Sequence, residues 1–97
     1  MNKPIQVIHP DGSIHTEYLP AEMQGALSKM QSLVGGYVEP IRLSATEYLI
    51  VHENEKINGK PHRANFVATQ MAKNANAIIG DDYIAGVALL VPAEYLN

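Results

Sequence analysis

The chain has 97 residues, 46% of them hydrophobic, no cysteine and a formal charge of −3. That length supports one core and so a single domain over residues 1–97, because a second core would be too small to offset the entropy of its own chain. The absence of cysteine excludes a disulfide framework and a thiolate metal site, the weakly acidic balance argues against a nucleic-acid-binding surface, and no apolar run approaches the ~18 residues of a membrane span.

In chain order, PIQVIHP reads as a short strand between two prolines. Asp11-Gly12 supplies a tight turn, because both residues tolerate positive φ. SIHTEYL returns as a second strand, alternating Ile14, Thr16 and Tyr18 against Ser13, His15 and Glu17. A helix follows. Pro20 suits a first turn, Glu22 suits the positive end of the dipole, and Met23, Leu27, Met30 and Val34 form an apolar stripe with Leu33 beside it. Gly35-Gly36 stops that helix with a left-handed cap.

YVEPIRLS and EYLIVHEN read as two more strands joined near Ser44-Ala45-Thr46. Pro40 lacks a ladder donor, which places the first of them at an edge or on a bulge. ENEKINGKPHR is a turn region with Asn58-Gly59 as its strongest signal. Ala64, Val67, Ala68, Met71, Ala72 and Ala75 then mark the apolar face of a second helix, with Asn65, Thr69, Gln70 and Lys73 opposite. DYIAGVALLVP is a nearly unbroken apolar run, expected as a central strand buried on both faces. The order ββαββαβ predicts an α+β fold in which a mixed or antiparallel sheet is packed by two helices.

Several of these segments together look like a known family. An amphipathic helix ending in LVGGYVE, a strand pair, a GKP…N…A loop leading into a helix, and DDYIAGVALLV resemble domain of unknown function 3846. The resemblance covers roughly residues 4–92, and LVGGYVE is its most specific motif. Asn65 stands four residues beyond Pro61, further than the family pattern has it. The family consists of small proteins found mainly in bacteriophages, prophages and mobile elements. The resemblance therefore implies a phage-borne accessory protein working in the host cytoplasm, and it implies no reaction.

Charge distribution singles out one candidate site. Residues 1–55 carry three basic and seven acidic side chains, whereas residues 56–80 carry Lys56, Lys60, Arg63 and Lys73 and no acid. Lys60, His62 and Arg63 crowd just ahead of the second helix, where unpaired N–H groups and the dipole already favour an anion. With Asn65 they form the expected ligand-binding set for a phosphate or carboxylate. The bland alternative is a solvated turn, in which basic residues are common. Lys60 does not complete a P-loop, since Pro61 stands where Ser or Thr belongs.

Other constellations are weaker. His9, His15 and His52 fall on strands, and two of them can meet across the first hairpin, but their spacing matches no zinc pattern, so no metal and no cofactor are expected. Glu53, Glu55, Asp81 and Asp82 raise acid–base chemistry, yet adjacent aspartates are more simply a turn, and no catalytic residues are assigned. Most of the five tyrosines sit at strand ends and are expected at half-buried positions. In PAEYLN, Tyr95 and Leu96 have no evident core and are expected to dock on a second copy of the chain.

The functional expectation is a non-enzymatic accessory protein that sequesters a small anionic or nucleotide-like molecule, countering a host defence, and that forms a homo-oligomer. The alternative is an interaction module that inhibits a host factor through a sheet edge or a tyrosine-bearing face. A small enzyme ranks third.

Overall fold

A computed structural model of the chain describes residues 3–53 and 63–96. Its elements are β1 (Lys3–Ile8), β2 (Ile14–Leu19), α1 (Met23–Val34), β3 (Val38–Arg42), β4 (Glu47–His52), α2 (Phe66–Asn74) and β5 (Ala88–Pro92), with a closing 3₁₀ turn over Ala93–Leu96. The fold is α+β in the order ββαββαβ. All five strands form one sheet, ordered β2-β1-β5-β4-β3, and every pairing is antiparallel. Pro40 sits on β3, an edge strand, as its missing N–H requires. β5 occupies the centre, consistent with its apolar sequence.

Strand pleat divides the side chains between two cores. Ile5, Val7, Leu19, Ile50, Leu89 and Val91 share one core with Ala26, Met30 and Val34 of α1. Ile8, Leu49, Val51 and Ala88 share the other with Ala68 and Ala72 of α2 and with Ile84. The helices therefore cover opposite faces of the sheet, one each.

Five expectations are corrected. The apolar stripe of α1 is rotated: Ala26, Met30 and Val34 are buried, while Met23 and Leu27 are exposed. Helix α2 begins at Phe66, since Ala64 is taken by a β-bridge to Ala85. Thr69, assigned to the polar side of α2, is buried, because its hydroxyl is used by the Ile84 backbone. Tyr95 and Leu96 pack against the α1-side core of their own chain, with the Lys3 ammonium 5.2 Å from the Tyr95 ring centroid. Residues 83–87 also stay out of the ladder, because Gly86 at φ 78° turns the backbone before β5 starts.

The two glycines of LVGG have separate jobs. Gly35 takes the left-handed conformation at φ 91° and its N–H donates to the Gln31 carbonyl at 2.9 Å, closing α1. Gly36 lies against the His52 imidazole, and a Cβ there would come within 2.4 Å of Nε2. The motif thus ends a helix and seats β4's last side chain.

Candidate functional site

Register brings β1's last residue, β5's first and the end of β4 to one end of the sheet, since Ile8 pairs with Ala88 and Leu89 pairs with Ile50. Here the chain leaves β4 at Glu53 and comes back at Arg63. The return is tied down by polar contacts. The Asn65 N–H donates to the Ile84 carbonyl at 2.8 Å, and the Gly86 N–H donates to the Arg63 carbonyl at 2.8 Å. The Asn65 Nδ2 amide donates to the carbonyls of Ile8 and Gly86, both at 2.9 Å, and its Oδ1 accepts from the Ala68 N–H at 3.1 Å. Asn65 is fully buried and is the N-cap of α2. One side chain therefore joins three segments: β1, the strand-like stretch before β5, and α2.

Thr69 adds a second staple one turn along. Its Oγ1 accepts from the Ile84 N–H at 2.9 Å and donates back to the Ile84 carbonyl at 3.4 Å. These bonds satisfy a piece of backbone that has no ladder partner beyond the Ala64–Ala85 bridge.

Beside the staples is a cavity of about 310 Å³, close to the lower size of small-molecule sites. Ile41, Val51 and Ile84 are among its apolar walls, and Glu39, Glu53, Asp82, His52 and Tyr83 are its polar ones. Glu39 reaches it because the pleat sets Glu39, Ile41 and Val51 on one face across the β3–β4 pair. Asp82 is held in place by its own turn, its Oδ1 accepting from the Tyr83 N–H at 2.8 Å. Three carboxylates make this a cavity for hydroxyl or amine donors. A bare anion is repelled from it.

The residues expected from sequence are distributed differently around this end. Lys60 and His62 lie outside the described residues. Arg63 is exposed, and its positive charge is felt at Asp11 in the β1–β2 turn. Asn65 has no polar atom left for a ligand, so its part in any site is to position the chain. Glu53 and Asp82, singled out as acids, do meet at one cavity. Glu39 and Tyr83 were not foreseen. The only sequence signal for Glu39 is its alternation with Ile41, which places a charge on the same strand face as a core residue.

His9 and His15 meet as expected. Their rings stack with centroids 5.0 Å apart, and His9 Nε2 lies 3.0 Å from His15 Nδ1. His15 Nε2 is 3.1 Å from the Glu17 carboxylate, which also takes the Lys29 ammonium of α1 at 3.1 Å. Lys29 first, then His15, hold the Glu17 carboxyl below its ordinary value. Hydrogen bonds from the Ser13 hydroxyl and amide do the same for Asp11, with His9 and Arg63 adding to the effect. The histidines form a line along the surface. Among the described residues no three potential ligands converge on a metal position.

Among the described residues no helix is long and apolar enough to cross a membrane. The sequence profile of domain of unknown function 3846 matches residues 2–94, so the chain belongs to that family. No curated protein and no solved structure matches it.

Proposed function

We propose that this chain is a non-enzymatic, phage-type accessory protein that binds and sequesters a small nucleotide-like molecule in the host cytoplasm, and so counters a host defence that depends on it. The observation that carries the reading is the position of the 310 Å³ cavity: Glu53 on one side and Ile84-Ala85, bridged to Ala64, on the other. In the chain, Lys60, His62 and Arg63 fall between Glu53 and Ala64.

The division of charge fits a ligand with two unlike ends. Ribose hydroxyls and an exocyclic amine are donors, and the carboxylates of Glu39, Glu53 and Asp82 accept from them while Ile41, Val51 and Ile84 cover the ring. The phosphates stay outside, where Lys60, His62 and Arg63 supply charge-assisted donors. Asn65 fixes the backbone from which Arg63 extends. Specificity for a nucleotide over inorganic phosphate then comes from the cavity, and affinity for the charged end comes from the basic stretch.

The test is a thermal melt across nucleotides, cyclic dinucleotides and ADP-ribose derivatives. A true ligand at about a hundred times its Kd adds roughly 2.7 kcal/mol, which for a domain of this size raises Tm by about 10 °C. Lys60→Glu and Arg63→Glu abolish the shift, and Glu39→Lys abolishes it from the cavity side. A flat panel, or a shift that survives all three substitutions, overturns the proposal and leaves a protein-interaction module that inhibits a host factor as the better reading.

A further inference from the structure

Helix α2 covers only part of its face of the sheet. Over β1 and β2 that face carries Pro4, Gln6, Ile14, Thr16 and Tyr18, brought side by side by the pairs Pro4–Tyr18, Gln6–Thr16 and Ile8–Ile14. Half-buried Leu90 of β5 pairs with Gln6 and continues the row. Ile14 is 50% exposed and Tyr18 54%. At the Ile14 end stands Phe66, 77% exposed, immediately after the Asn65 that grips the Ile8 carbonyl.

None of these seven residues is charged, on a chain whose net charge is −3. Two copies of an acidic chain repel over most of their surfaces, and an uncharged face is where they can meet without that cost. A patch that is apolar and uncharged is also complementary to itself, as an isologous two-fold contact requires. Ile14, Tyr18 and Phe66 expose on the order of 350 Å² between them, and their neighbours bring the patch to roughly 600 Å², the low end of what a specific pair buries per partner.

We infer that this face is a homodimer interface, in which the open β1–β2 surface and Phe66 of one copy pack against the same surface of a second. The contact does not rest on the ligand reading, since none of the seven residues lines the cavity. Area alone does not set affinity, so the association is read from its concentration dependence. Among the described residues the outer edge of β2 has no partner strand, and its Glu17, tied to Lys29 and His15, opposes edge-to-edge strand addition.

Sedimentation equilibrium from low to high micromolar concentration tests it. The wild type sediments as a reversible dimer, Tyr18→Lys and Ile14→Lys as monomers with at least a tenfold weaker association, and Tyr37→Lys, exposed elsewhere, as wild type. Thermal melts at low concentration confirm that all variants are folded. A wild type that stays monomeric throughout, as a face reserved for a different protein would leave it, overturns the inference. So does a dimer that survives both lysines, or one lost equally in Tyr37→Lys.

Discussion

On one face of the sheet α1 reaches β2, β3, β4 and β5 and buries Ala26, Met30 and Val34 in a core of aliphatic side chains. On the other face α2 is shorter, contributes two alanines and a threonine to the interior, and is held by hydrogen bonds from Asn65 and Thr69 as much as by packing. The first face is closed over β5 and the inner parts of β1 and β4, with Pro40 and Arg42 exposed at its β3 edge and His15 at its β2 edge. The second has a cavity on its β3–β4 side and open sheet on its β1–β2 side. The contrast shows how a small domain keeps one face of its sheet partly open. Apolar packing on one side carries stability, and a few directional bonds on the other fix geometry without filling the space.

The largest effect that separates the two faces is expected at Asn65. Asn65→Ala leaves the buried carbonyls of Ile8 and Gly86 and the Ala68 N–H without this partner. At about 1–3 kcal/mol per unmade buried bond, the loss is about 4 kcal/mol, a fall in Tm of ~20 °C. Denaturant unfolding measures it, and a loss under about 1 kcal/mol breaks the view that this face depends on one polar staple.

A smaller effect belongs to the closed face. Gly36→Ala drives a methyl group into the His52 ring, which has to swing aside at a cost of about 1–2 kcal/mol, or roughly 5–10 °C in Tm. His52 also lines the cavity, so the same variant weakens ligand response if the nucleotide reading holds. Stability unchanged within error shows that the ring is not confined.

The smallest effect is electrostatic and follows acidity. Glu17 joins β2 to α1 through Lys29, and its carboxyl is held below its ordinary value of 4.5. A depressed folded-state pKa contributes stability above the unfolded value and loses it as pH falls through the folded one. The difference in denaturation midpoint between wild type and Glu17→Gln is therefore small at neutral pH and shrinks to nothing in acid. A gap that widens on acidification contradicts the assignment.

Local pattern carried much of the frame. Period-2 alternation in β2, Asp11-Gly12 before it, the Gly35 stop and the edge position demanded by Pro40 were legible because each depends on neighbours within a few residues. The start of α2 was misplaced for the opposite reason. Ala64 is paired by a bridge to Ala85, and Thr69 is buried by bonds to Ile84, fifteen residues away in the chain. Among the candidate site residues, Arg63 is expected to bind an anion, and the structure shows it exposed. Asn65 was read as a ligand donor, and its amide is committed to Ile8 and Gly86, which no spacing in the sequence foretells.

What the sequence determined by itself is the number and order of the elements and the concentration of positive charge in residues 56–80, since periodicity and composition are properties of local chain and solvent. What only the tertiary structure decided is that the helices take opposite faces, that Glu39, Glu53 and Asp82 share a cavity, and that Ile14 and Tyr18 are left open. The reason is strand order. With β5 inserted between β1 and β4, residues distant in the chain become neighbours, and α2, anchored at the Ile8 end, is too short to cover the whole face it lies on.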